Sequence, residues 1–111
     1  MSGKKIRRSL EMKRIVSFFD FIRRHECVCV DDKICTKQVA WDPIQDTPLN
    51  TVSHVRARGS ARRRDHYYNC VPMCNKCHRE FEDRWTKEER MTFMPQAEQL
   101  TKEFFNAKGK Q

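Results

Sequence analysis

The chain has 111 residues, 38% of them hydrophobic and 34% charged, and its 23 Lys and Arg outnumber 15 Asp and Glu to give a formal net charge of +8. That length suits a single domain over 1–111 with a modest core and argues against a second independent one. No stretch approaches the ~20 apolar residues of a membrane span, and the basic start leads into an amphipathic segment instead of a signal peptide's apolar run, so a soluble, intracellular protein without membrane contact is expected.

Residues 1–26 read as a basic amphipathic helix. Between Ile6 and Arg24 the apolar residues Met12, Ile15, Phe18, Phe19 and Ile22 recur at three- and four-residue steps, the spacing of one helical face. Cys27 to Val30 and Val39 to Trp41 are short β-compatible runs separated by the turn-prone Asp31-Asp32-Lys33, and Asp42 to Asn50, with Pro43 and Pro48, reads as a loop. Thr51 to Val55 alternates like a half-buried strand, Gly59-Ser60 opens a basic loop, and Tyr67 to Val71 is the expected returning strand of a hairpin. Pro72 to His78 reads as a knuckle-like turn, followed by a helix over Arg79 to Trp85. Thr86-Lys87-Glu88-Glu89 is a capping box that starts a further helix, ended or kinked near Pro95. A last amphipathic stretch puts Ala97, Leu100 and Phe104 on one side. The fold class expected is α+β, with a β–α core over 27–85 and C-terminal helices over 86–111.

Charge is concentrated. Residues 1–26 carry +5 and residues 54–79 carry +6, the latter dominated by Arg56, Arg58, Arg62, Arg63 and Arg64. Arginine clusters suit bidentate contacts to phosphate, so a nucleic-acid partner is expected, with Arg62 to Arg64 gripping backbone without reading sequence.

Six cysteines in an intracellular chain point to metal ligation or buried thiols in preference to disulfides. Cys74-x-x-Cys77 has the spacing that lets two sulfurs of a tight turn meet one tetrahedral zinc ion. A hairpin about Asp31-Asp32 brings Cys27 and Cys35 together, which makes Cys27, Cys35, Cys74 and Cys77 the favoured structural zinc site. Cys29 is the alternative to either early ligand, and His25 a further one. Cys70 suits a buried thiol. A small, highly charged chain with few large aliphatics has need of such a metal staple.

Ser53-His54-Val55-Arg56, a Gly-containing loop, Asn69, and then Pro72-Met73-Cys74-x-x-Cys77-His78 form an ordered pattern. This pattern resembles the HNH nucleases, the ββα-metal endonuclease family, and looks most like the small zinc-containing HNH proteins of phages and prophages. The resemblance covers about residues 27–85. It implies a metal-dependent DNA endonuclease in which His54 is the general base, Asn69 orients the backbone that carries it, and His78 binds a catalytic divalent cation, with the imidazoles of His54 and His78 expected to face each other across a shared pocket. The residue before the base is often a ligand in this family, and here it is Ser53. Four residues after His78, where many members have a second His, stands Glu82. The i, i+4 spacing puts Glu82 on the same helical face as His78, so it is expected to join His78 as a ligand of that ion, and a carboxylate there would favour Mg²⁺ or Mn²⁺ over zinc.

Phosphodiester hydrolysis needs a base near neutral pH and a cation on the phosphate, which fits a histidine beside a metal. If strand alternation continues past His54, Arg56 and Arg58 share its side and hold the flanking phosphates. His25 and His66 are expected to be non-catalytic. The zinc-deaminase signature is set aside, because His25-Glu26 lacks the intervening residue and Pro72 is one position too far from Cys74. The rival reading is a zinc-stabilised nucleic-acid-binding module that does not cut. A third is a protein-interaction adaptor using Phe104 and Phe105, and the terminal helices offer a surface for a homodimer.

Overall fold

The computed structural model describes residues 2–56 and 66–109, with side chains over 10–56 and 66–107. Helix α1 spans Ser2–Arg23. Two antiparallel ribbons follow, β1 (Ala40–Asp42) with β2 (Thr47–Leu49), and β3 (Thr51–His54) with β4 (Cys70–Met73). Then come α2 (Asn75–Arg84), the short α3 (Lys87–Arg90), a 3₁₀ turn over Met91–Phe93, and α4 (Met94–Gly109). The class is α+β, in the expected order of helix, hairpins and helices.

The β3–β4 ribbon is the centre. Its register pairs Ser53 with Val71 and His54 with Cys70, and successive side chains on a strand point to opposite faces. Val71 and Met73, with Val55 just past β3, join Cys77 and Phe81 of α2, Phe93 and Ala97 in one buried cluster. On the other face Cys70, with Val52 beside it, packs against Phe18 and Ile22 of α1 and Phe104 of α4. One strand's alternation therefore generates two cores, and α4 feeds both: Ala97 joins the first and Phe104 the second, with Leu100 packed against each.

Helix α1 departs from its predicted stripe. Phe18 and Ile22 are fully buried, but Met12 is 62% exposed, with Leu10 and Val16 nearby also exposed. The reason is length. A 22-residue helix runs about 33 Å, whereas a four-residue strand offers about 13 Å of docking surface. Among the described side chains of α1, the fully buried ones lie in its C-terminal turns.

The predicted strand at Cys27 to Val30 is absent; this segment is irregular, with Cys29 in the left-handed region at φ 64°. The turn after it forms as expected, Asp31 accepting the N–H groups of Ile34 and Cys35. Conversely, the predicted loop over Asp42 to Asn50 contains β2. The Asp42 carboxylate accepts from Ile44 N at 2.9 Å and Gln45 N at 3.3 Å, which closes a tight turn. Pro48 then sits opposite Trp41, tolerable because each strand of a two-stranded ribbon has an open edge.

Three boundaries also shift. The returning strand starts at Cys70, after left-handed Tyr68 at φ 62°. The Cys74 knuckle is itself the N-cap of α2, which begins at Asn75 and already contains Cys77 and His78. The Thr86/Glu89 capping box is present, but Pro95 opens α4 instead of ending a helix, since its missing N–H costs nothing in a first turn.

Phe18→Ala should lower unfolding free energy by about 3–5 kcal/mol, and Met12→Ser should change it by less than about 0.5 kcal/mol. Urea denaturation of the two variants checks the asymmetry along α1.

Candidate metal centre and histidine cluster

Cys27, Cys35, Cys74 and Cys77 converge, their sulfurs all within 4.8 Å of one another. A tetrahedron with ~2.3 Å zinc–sulfur bonds has edges of about 3.8 Å, so a small contraction closes this set around an ion. The cysteines are free of disulfides. Cys74 and Cys77 are fully buried at the start of α2, and the early pair comes from the irregular segment before β1.

Backbone donors already aim at the sulfurs. Cys27 accepts from Cys29 N at 3.2 Å and Cys35 from Lys37 N at 3.3 Å, while Cys74 accepts from Thr36 N and Cys77 N, both at 3.4 Å. The two donors that sit two residues after an early cysteine, Cys29 and Lys37, are both left-handed, at φ 64° and 69°. Such a conformation costs a non-glycine residue on the order of 1 kcal/mol, and here it turns an N–H toward a sulfur. That is why the alternating strand expected at Cys27 to Val30 gives way.

The thiols differ in acidity. Burial pushes Cys74 up, but hydrogen bonds from Thr36 and Cys77 outweigh it and bring its pKa down to about 6. Burial, with neighbouring Cys77 adding, holds Cys27 well above an ordinary thiol, and burial also raises Cys77. Without a cation, four anionic sulfurs this close would repel. A divalent ion such as zinc removes that penalty, and the four-sulfur donor set fits it.

The alternatives for the early ligands are not members of the four-sulfur group, although Cys29 touches Cys35. Cys29 points its thiol to Asp32 at 2.9 Å, and His25 bonds through Nδ1 to the Phe21 carbonyl at 2.8 Å.

Histidines 54 and 78 do not face each other across one pocket. Ser53 and His54 are neighbours on β3 and project to opposite faces of the ribbon. Ser53 is fully buried and hydrogen-bonds Nδ1 of His78 on the α2 side. His54 lies on the α1 side, its Nε2 3.1 Å from Nδ1 of His66 and its ring edge-on to Phe19. His78 nonetheless reaches β3 from α2 at Ser53, the residue immediately before His54 at the end of that strand.

Asn69, 3% exposed, grips the backbone there: its Oδ1 accepts from Arg56 N at 2.7 Å and its Nδ2 donates to Arg56 O at 3.3 Å. Its own carbonyl accepts from Val55 N at 2.7 Å. The Glu82 carboxylate pairs through Oε1 with Arg90 at 3.2 Å. Strand β3 ends at His54, so the alternation that was to align Arg56 and Arg58 with it stops. Arg56 is exposed in the bend that follows, and Arg58, Arg62, Arg63 and Arg64 lie outside the described residues.

Three contributors escape a reading of the sequence. His66 approaches His54 across a separation of twelve residues. Arg90 donates to the His54 carbonyl at 3.1 Å as well as to Glu82, and lies 4.6 Å from the centre of the Phe81 ring. Asn50, 3% exposed, donates to the carbonyls of His25 and Lys37 and so joins the end of α1 to the cysteine segment. Nothing local marks any of them, because each acts on a distant segment. No family model, curated protein or solved structure matches this chain.

Purified protein should carry about one zinc per chain, the stoichiometry of a four-sulfur site, measured by elemental analysis. Cys74→Ser should abolish binding and Cys29→Ser should leave it intact. Zinc affinity should fall as pH is lowered, since protons compete for the sulfurs, and chelation should cost the fold, read by circular dichroism.

Proposed function

We propose that this chain is a metal-dependent DNA endonuclease of the ββα-metal (HNH) type, built on a structural zinc site. The observation that carries the reading is the end of the β3–β4 ribbon. There His54 and His78 flank one strand terminus, and Asn69 fastens the backbone immediately after His54. This is the division of labour implied by the resemblance to that family: a base on the first strand, an Asn that sets its backbone, and a ligand on the following helix.

In this reading His54 takes a proton from the attacking water. His78 holds the catalytic ion through Nε2, for which the described residues supply no hydrogen-bond partner, while Ser53 at Nδ1 fixes the ring. A hydroxyl that accepts the Nδ1 proton sets the tautomer and turns the Nε2 lone pair outward, as outer partners of metal-bound histidines do. Ser53 is then a positioning residue and not a ligand. Mg²⁺ or Mn²⁺ at this position supplies charge stabilisation on the phosphate and the leaving oxygen. A phosphodiester laid over the ribbon end can be approached from both faces, so the two imidazoles need not touch. The arginines over 56–64 supply backbone affinity.

A second reading, a zinc-stabilised nucleic-acid-binding module that does not cut, is favoured by one observation. Arg90 pairs with Oε1 of Glu82, which draws that carboxylate away from the catalytic ion and weakens its ligand set.

Supercoiled plasmid with Mg²⁺ or Mn²⁺ tells them apart. The nuclease nicks, and His54→Ala lowers the rate by about 10²–10⁴-fold, the usual contribution of a general base. His78→Ala loses activity while retaining zinc. A mobility shift with no nicking at any metal concentration rejects the nuclease in favour of the binding module, whose affinity falls steeply with salt.

A further inference from the structure

The contact between His54 and His66 has no part in the reading above. His54 Nε2 and His66 Nδ1 are 3.1 Å apart. With metal–imidazole bonds of ~2.0–2.1 Å, two nitrogens at that separation subtend roughly 100° at a shared ion. That lies between the octahedral and tetrahedral angles.

The rings are also held from outside. Phe19 of α1 meets both edge-on, with centroids 5.0 Å from His66 and 6.2 Å from His54. The two imidazoles are half-buried and their own centroids are 5.3 Å apart. His54 is further fixed by β3 and by the Arg90 bond to its carbonyl. Two donors are thus set at coordination distance beside the Phe19 ring, and an ion entering there replaces a proton shared between the imidazoles.

We infer that His54 and His66 form a second cation site, distinct from the four cysteines and from His78, for a borderline divalent ion such as Ni²⁺, Co²⁺ or Zn²⁺. Imidazole donors suit these ions, and Mg²⁺ would choose oxygen instead. Water or phosphate oxygens complete the coordination. On the nuclease reading, such an ion also withdraws Nε2 of His54 as a proton acceptor and is inhibitory. Metal uptake itself reports on the site whether or not the protein cuts DNA.

The test is calorimetric titration of Ni²⁺ into the zinc-loaded full chain. One Ni²⁺ should bind in addition to the zinc. His66→Asn and His54→Asn should each weaken it by at least about tenfold, the scale that even an outer-shell partner commands, while His78→Asn leaves it unchanged. Since a substitution beside the ribbon can disturb folding, imidazole ¹⁵N spectra of the unaltered protein provide a second measurement. Ni²⁺ should broaden the His54 and His66 resonances together, ahead of those of His25 and His78. Absence of Ni²⁺ uptake beyond the zinc, uptake undiminished in His66→Asn, or broadening centred on His78 overturns the inference.

Discussion

Four sulfur atoms within 4.8 Å of one another join parts of this chain that hydrogen-bonded secondary structure leaves separate. The segment from Glu26 to Val39 has no helix or strand. Its position is set by its contacts with neighbours: Cys27 and Cys35 reach Cys74 and Cys77, Val28 N bonds the Pro72 carbonyl at 3.0 Å, and Asn50 holds the carbonyls of His25 and Lys37. Two non-glycine residues are left-handed in order to aim their N–H groups at sulfur. N–H groups aimed at sulfur favour its anionic state, which is the state a metal ion requires.

The cysteine centre locks the base of α2, and α2 in turn covers one face of the β3–β4 ribbon. Strand alternation decides the rest. Because Ser53 and His54 point in opposite directions, the two histidines acquire different neighbours: His78 has Ser53, and His54 has His66 and Phe19. The ribbon end is therefore a place where two chemically distinct imidazole environments meet, with Asn69 and Arg90 fastening the backbone between them. An i, i+4 relation put Glu82 on the same helical face as His78, yet spacing could not show that Arg90, arriving from α3, would take the carboxylate.

Patterns confined to a few residues were legible in the sequence. The helical spacing of Phe18 and Ile22, the capping box at Thr86 and Glu89, the alternation through Thr51 to His54, the apolar line of Ala97 and Phe104, and the Cys74-x-x-Cys77 pair each depend on interactions within a turn or two of chain. Errors arose where a remote partner outweighed local preference. Cys27 to Val30 has the composition of a strand but serves sulfur geometry, and Pro48 reads as a breaker but finds an open-edged ribbon. Met12 belongs to an apolar stripe that extends past what it could cover.

The sequence by itself determined the α+β class, the central β–α unit and the residue types able to bind a metal, since these follow from periodicity, capping and side-chain chemistry. Only the tertiary structure decided which two early thiols join Cys74 and Cys77, that His54 meets His66, and that His54 and His78 lie on opposite faces. Those outcomes depend on how a short ribbon is covered on each side and on backbone conformations at Cys29 and Lys37. Such packing is a property of contacts between distant segments, and residue order alone does not encode it in any local pattern.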